Sequence, residues 1–334
     1  MLKIGVIGCG AIGRDHIRRL TDLVPGCEVV ACADYFEEAA CKTAAQYQGV
    51  KAYPTGEELI AAPDVEAVLI ASSDPSHAGY VLEALKYGKY VFCEKPLAQN
   101  AADCEKIIAA EVSHGKRLVQ VGFMRHYDRG YAEMKRIIDS GELGAPLMIH
   151  AAHRNVSQPD GFQTEMGVSN VAIHELDICR WLLSDEYESG QVLKVRQSAE
   201  STKGYDNPQI VLLETKSGAR IDVEVQVADA YGYDIQCQVV CEKGTVNLPD
   251  PYAVVKRANA SRSFPILTDW KDRFIEAYDI ELTEWVKALA NGGPTGPSAW
   301  DGYAACVAAD ALNRSRGTGQ FMKIEMIDKP ALYL

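Results

Sequence analysis

The chain has no apolar run approaching the ~18 uncharged residues of a membrane span, so no segment reads as a bilayer helix. It also lacks any concentration of Lys and Arg: 34 basic residues stand against 46 acidic ones, for a net charge of −12. Phosphate backbones are bound by clustered positive charge, so the balance argues against a nucleic-acid surface and favours a neutral or cationic partner. No CxxC pair is present. The ten cysteines are scattered, the nearest two, Cys237 and Cys241, forming CxxxC, and no Cys/His spacing suits a metal. A disulfide scaffold with this many cysteines would be far shorter and secreted, so reduced thiols in a cytoplasm are expected. Met1-Leu2-Lys3 runs straight into a strand-like segment, which leaves no room for a leader. Internal repeats and low-complexity tracts are absent as well.

What is present is a chain of 334 residues, 47% hydrophobic and 24% charged, near the globular average. At ~150 residues per domain, that length predicts two domains. The first 120 or so residues alternate short Val- and Ile-rich runs with amphipathic stretches. The runs are Ile4 to Ile7, Val29 to Ala33, Val65 to Ala71, Tyr90 to Cys93 and Leu118 to Val121. Between them, Glu37 to Tyr47 and His77 to Tyr87 are helical in pattern. This rhythm builds a doubly wound parallel sheet covered on both faces, an α/β Rossmann-type domain. Beyond Phe123 the pattern changes. In Arg220 to Val227, Ile221, Val223, Val225 and Val227 face one way and Arg220, Asp222, Glu224 and Gln226 the other. Period-two alternation marks a sheet with one face wet or shared, so the second domain is read as α+β on a large, mostly antiparallel sheet. The expected division is 1–122 and 123–334.

Gly8-Cys9-Gly10-Ala11-Ile12-Gly13 is a GxGxxG turn between a strand and a helical segment. Its glycines allow a tight turn and close approach of backbone N–H groups to a pyrophosphate, at the positive end of a helix. Asp34 ends the next strand 21 residues after the last glycine, at the spacing of the acid that binds the adenosine ribose hydroxyls. Tyr35-Phe36-Glu37-Glu38 follow it, with no basic residue before Lys42 to receive a 2′-phosphate, so NAD is the expected cofactor. Methyltransferases also combine a glycine turn with an acid, and the cofactor assignment therefore needs support from further along the chain.

Glu94-Lys95-Pro96 places a lysine at the carboxyl end of a parallel strand, where open α/β sheets gather ligands. The proline restrains the preceding backbone and can support a cis peptide. Asn170, His174 and Asp177 are spaced i, i+4 and i+7 in Val168 to Leu183, which reads as one partly buried helix with all three on one face. His174-Glu175-Leu176-Asp177 is not HExxH, so no zinc is expected.

With Arg180-Trp181-Leu182-Leu183, these motifs resemble the glucose-fructose oxidoreductase/inositol dehydrogenase/rhizopine catabolism (Gfo/Idh/MocA) family over the whole chain. More specific stretches, Val121 to Arg125, Ala145 to His150, Ala152 to Asn155, Tyr231 to Asp234 and Ala299 to Tyr303, resemble its bacterial inositol 2-dehydrogenase branch. The resemblance implies NAD-dependent oxidation of a ring hydroxyl of myo-inositol to an inosose, by a cytoplasmic homotetramer packed through its antiparallel sheets. It implies that Lys95 hydrogen-bonds the reacting hydroxyl and that His174 accepts its proton. It further implies Arg125, His153, Asn155 and Tyr233 around the polyol, Glu94 near the nicotinamide ribose, and Ser72 to His77 in a loop over the cofactor. The chemistry agrees, because an alcohol proton leaves at neutral pH only if hydride departure is coupled to a base with a pKa near ~7. A cation beside the developing alkoxide stabilises it.

The chain departs from that branch at Asn170, where inositol dehydrogenases carry an aspartate. Asparagine is nearly isosteric yet carries no charge, so it cannot stabilise an imidazolium. Three consequences are open: an impaired inositol enzyme, an enzyme for another cyclitol or sugar such as scyllo-inositol or glucose, or a site in which Asp177 takes the role by orienting His174. A nucleotide-sugar enzyme would need a basic patch that the sequence lacks. A non-enzymatic NAD sensor has Asn170 in its favour and the retention of Lys95 and His174 against it.

Overall fold

The computed structural model describes residues 1–158, 161–199, 205–251 and 254–334. The chain forms two compact units, one comprising Met1–Met124, Tyr278–Cys306 and Met326–Leu334, the other Arg125–Ala277 and Val307–Glu325.

The first unit is built on six parallel strands, β1 (Leu2–Ile7), β2 (Cys27–Ala33), β3 (Lys51–Tyr53), β4 (Ala67–Ile70), β5 (Tyr90–Glu94) and β6 (Val119–Gly122), in the order β3-β2-β1-β4-β5-β6. Helices α1 (Ala11–Asp22), α2 (Glu37–Ala44), α3 (Gly56–Ala61), α4 (His77–Lys86) and α5 (Ala101–His114) connect them. This is the nucleotide-type order, in which the strand sequence reverses beside β1 and gathers ligands at the carboxyl ends. Local sequence explains the helix limits. Thr55 and Asn100 cap α3 and α5 by accepting from the N–H of Glu58 (3.1 Å) and Asp103 (3.0 Å), and Gly115 closes α5 at φ 69°.

The second unit contains α6 (Arg129–Asp139), β7 (Pro146–Arg154), a π-helical turn over Gly167–Ala172, and α7 (Ile173–Leu183). It continues with β8 (Tyr187–Lys194), β9 (Gln209–Thr215), β10 (Arg220–Gln226), β11 (Asp234–Cys241), β12 (Gly244–Asn247) and a small hairpin, β13 (Lys256–Ala258) with β14 (Ser261–Ser263). Its seven-stranded sheet runs β12-β11-β7-β10-β9-β8-β15, the last strand being β15 (Met322–Lys323). Neighbours are antiparallel except β7 and β10, which pair in parallel. The alternation in β10 is realised, with Ile221, Val223 and Val225 buried and the residues between them half-buried.

Two late helices, α8 (Trp270–Ala290) and α9 (Ala299–Ser315), each contribute to both units, α8 changing at Tyr278 and α9 at Val307. A division at residue 122 puts Tyr278–Cys306 and Met326–Leu334 in the second domain, whereas compactness puts them in the first. The cause is hydrophobic. Leu282, Trp285, Val286 and Leu289 join the same core as Ile4, Val6, Val29 and Phe92. All ten cysteines are free thiols, nine of them buried and Cys41 exposed. Among the described residues no helix is long and apolar enough to cross a membrane, and no group of three or more His, Cys, Asp or Glu could hold a metal.

Candidate active site

The glycine turn after β1 is tight at both ends and open in the middle. Gly8 has φ +103°, and a Cβ there would lie 2.3 Å from the Ala71 carbonyl oxygen; at Gly13 it would lie 1.9 Å from that of Gly8. At Gly10, among the described residues, a Cβ would meet nothing within 4 Å. The open position is the N-cap of α1, which has no side-chain cap bond, so a phosphate seated there faces backbone N–H groups and the positive end of the helix, beside Ala11 and Ile12. Asp34 closes the other side. Its Oδ2 accepts from the Cys9 N–H at 2.6 Å and its Oδ1 from the Phe36 N–H at 2.9 Å, which fixes the carboxylate at the end of β2 with lone pairs to spare for ribose hydroxyls. These residues fit NAD, and the fixed negative charge opposes a 2′-phosphate.

Around the ends of β4 and β5 the expected residues are linked to one another. Ser72 Oγ and Ser76 Oγ are 2.7 Å apart, and the buried ring of His77 sets Nδ1 2.8 Å from the Pro96 carbonyl and Nε2 3.1 Å from that of Ser72. His77 therefore ties the loop to Pro96, whose peptide bond with Lys95 is cis. Glu94 faces inward: Oε1 is 2.7 Å from Nε2 of His16, a fully buried residue of α1, and Oε2 accepts from the Lys95 N–H at 3.3 Å. The carboxylate expected near the nicotinamide ribose is thus already engaged beneath the lysine.

In the second unit, Arg125, His153, His174 and Tyr233 come together around a residue that sequence reasoning passed over, Glu175. Arg125 Nη1 donates to Glu175 Oε1, and His153 Nδ1 lies 2.9 Å from Glu175 Oε2. Arg125 Nη2 is 3.2 Å from the same His153 nitrogen, but a guanidinium only donates, so the closer carboxylate assigns the proton to Nδ1. The His153 ring stands 6.1 Å from that of His174 and edge-on, 6.0 Å, to Tyr233. Burial pushes the Tyr233 phenol well above its ordinary range, so it remains a neutral donor. Arg125 is 1% exposed and packs over Tyr131 and Phe274, so it supports Glu175 and His153 from within the core.

The three residues expected on one helical face do not share a regular helix. Asn170 lies in the π-helical turn, whose i→i+5 bonds insert an extra residue per turn, whereas His174 and Asp177 lie on α7. Asp177 Oδ2 is 2.8 Å from Nε2 of His126, whose ring stacks on Trp181 at 4.5 Å, so this carboxylate pairs with His126. Asn155 extends the line of β7, its N–H donating to the Gln226 carbonyl and its own carbonyl accepting from the Asp229 N–H, both at 2.8 Å. Glu175 and His16 had one sequence signal each: an ionisable residue among core positions, where an unpaired charge would be costly.

Comparison with known proteins places these features in context. The oxidoreductase family with an NAD-binding Rossmann fold, Gfo/Idh/MocA, matches residues 2–123, and its C-terminal alpha/beta domain matches residues 135–326. The chain is 53% identical over 334 residues to an inositol 2-dehydrogenase of Burkholderia cenocepacia and 54% identical to one of Ralstonia nicotianae, covering 99% of each chain in both cases. It superposes on the crystal structure of myo-inositol dehydrogenase from Lactobacillus casei in complex with NAD(H) and myo-inositol with a TM-score of 0.96, at 40% identity and full coverage of both chains. The two family models together span most of the chain, and the chain therefore belongs to the Gfo/Idh/MocA family of NAD-binding oxidoreductases.

Proposed function

We propose that the chain is an NAD-dependent inositol 2-dehydrogenase, oxidising a ring hydroxyl of myo-inositol to the corresponding inosose. The observation that carries this reading is full-length identity of 53–54% with enzymes of that name. NAD, when bound, supplies the acceptor for the hydride. Lys95 is assigned to hydrogen-bond the reacting hydroxyl oxygen through its ammonium and to stabilise alkoxide character there. His174 is assigned as the proton acceptor. Its Nδ1 is fully enclosed, which leaves Nε2 as the nitrogen that meets the hydroxyl proton. His153 and the Tyr233 hydroxyl add polar contacts of the kind a ring bearing hydroxyls requires, with Asn155 and Asn170 as further amide contacts.

The free thiols suit a reducing cytoplasm. The alternating face of β10, with Arg220, Asp222 and Glu224, suits sheet-to-sheet packing in a homotetramer. The test is NADH formation by the purified protein with myo-inositol, scyllo-inositol, glucose and methyl glucosides. Turnover highest on myo-inositol, abolished in His174→Asn and Lys95→Met, supports the reading. Turnover on another polyol alone replaces the substrate, and tight NAD binding without turnover on any of them makes the protein a sensor.

A further inference from the structure

The backbone just before the π-helical turn that leads into α7 meets a buried amide. Gln209, the first residue of β9, is 1% exposed, and its carboxamide is engaged on both sides. Nε2 donates to the Thr164 carbonyl at 3.1 Å and the Asp206 carbonyl at 2.7 Å, while Oε1 accepts from Arg316 Nη2 at 2.7 Å. Arg316 Nη2 also donates to the Thr164 carbonyl at 3.0 Å, so guanidinium and amide together hold the backbone just before the turn. Gly167, where the π turn begins, lies directly against this amide. A Cβ there would stand 2.8 Å from Gln209 Nε2 and 3.3 Å from its Cδ. The amide cannot yield, because three bonds locate it, so glycine at 167 and glutamine at 209 fit as a pair.

A π turn carries one residue more per turn than an α-helix and persists only where surroundings impose it. Here the imposed turn spans Gly167–Ala172 and carries Asn170, and α7 with His174 follows immediately. Relaxation of the turn to α-helical bonding would rotate Asn170 about the helix axis relative to the histidine.

We propose that Gln209 is a positioning residue for the reaction: its carboxamide, clamped by Arg316, holds the π turn open at Gly167 and so sets the register of Asn170 relative to His174. The proposal rests on the reading of His174 as proton acceptor. It assigns Gln209 no contact with substrate or cofactor.

The test compares Gln209→Leu, Gly167→Ala and the double variant Gly167→Ala/Gln209→Ser, measuring kcat and KM for myo-inositol, NADH affinity by fluorescence, the pH profile of kcat, and Tm. Misplacement of a catalytic group by about an ångström lowers turnover by up to ~100-fold. Both single variants are therefore expected to lose about ten- to a hundredfold in kcat and to shift the acid limb of the pH profile. NADH affinity stays within about twofold, and the double variant recovers none of the turnover, because serine frees space for the new methyl yet lacks the carboxamide that locates the turn. Lower Tm with wild-type kcat and an unmoved pH profile would show a structural role and overturn the proposal. Should the leucine variant not fold, Gln209→Glu keeps the shape and the Arg316 bond and is read in the same way. His174→Asn separates the two claims. If it retains turnover, the assignment of His174 fails; if it abolishes turnover while Gln209→Leu and Gly167→Ala behave as wild type, the positioning role alone fails.

Discussion

Arg125 and Glu175 form an ion pair that solvent does not reach, each side chain being 1% exposed. Burial by itself raises the Glu175 carboxyl, but Arg125 and His153 outweigh it and hold the group below its ordinary value of 4.5. A carboxylate depressed in the folded state adds stability that is present above the unfolded pKa and lost as pH falls through the folded one. Wild-type stability is accordingly expected to fall below about pH 4.5, with a Glu175 contribution that Glu175→Gln lacks. At neutral pH, removing one partner of a buried pair costs about 3–5 kcal/mol. Urea unfolding of both proteins at neutral and acid pH measures it, and parallel curves would refute the assignment.

The glycine turn gives opposite expectations for two similar substitutions. Gly10→Ala adds a methyl where nothing lies within 4 Å, so Tm is expected to stay within a few degrees while NAD affinity drops at least about tenfold, because the methyl occupies pyrophosphate space. Gly13→Ala drives a methyl into the Gly8 carbonyl and is expected to lower Tm as well. Equal stability losses for both would contradict the open middle of the turn. Calorimetry with and without NAD distinguishes the cases.

Asp34 serves both the Cys9 N–H and the cofactor, so Asp34→Ser is expected to raise the KM for NAD by about ten- to a hundredfold and the ratio of NADP to NAD activity with it. An unchanged ratio would remove the charge-exclusion argument. Initial rates with the two cofactors suffice.

Asn170→Asp adds charge to a unit that already holds Glu175 and Asp177 beside the histidines, and kcat on myo-inositol is expected to change by less than about tenfold. Asp177→Asn is expected to leave kcat within about threefold and to lower stability by about 1–3 kcal/mol, since the carboxylate serves His126. Loss of turnover in Asp177→Asn with Tm unchanged would return Asp177 to the role of orienting His174. Kinetics and melting curves on the same preparations decide it.

Five of the six parallel strands were legible as short apolar runs: Tyr90 to Cys93 falls within β5, and Val29 to Ala33 within β2. β3 escaped because three residues, Lys51–Tyr53, carry no period. Val168 to Leu183 looks like a single helix since its apolar residues keep helical spacing. The Gln209 amide against which its first turn lies is 42 positions beyond Gly167 and invisible to local pattern. The cofactor residues were readable because phosphate and ribose recognition uses backbone at fixed spacing from β1. The pairing of Arg125 with Glu175 was not legible, because a buried ion pair is made by tertiary packing and leaves only two unremarkable charged letters in the sequence.

The return of α8 to the first core also governs the order in which this chain can be made. Leu282, Trp285, Val286 and Leu289 are synthesised long after Ile4, Val6 and Val29, the residues with which they share a core. A ribosome that has released the whole GxGxxG region and all six parallel strands has still not delivered the side chains that finish that core. The nascent dinucleotide unit therefore carries uncovered apolar surface through the synthesis of the intervening second unit, the period in which a chain of this size is most exposed to aggregation and most dependent on chaperones.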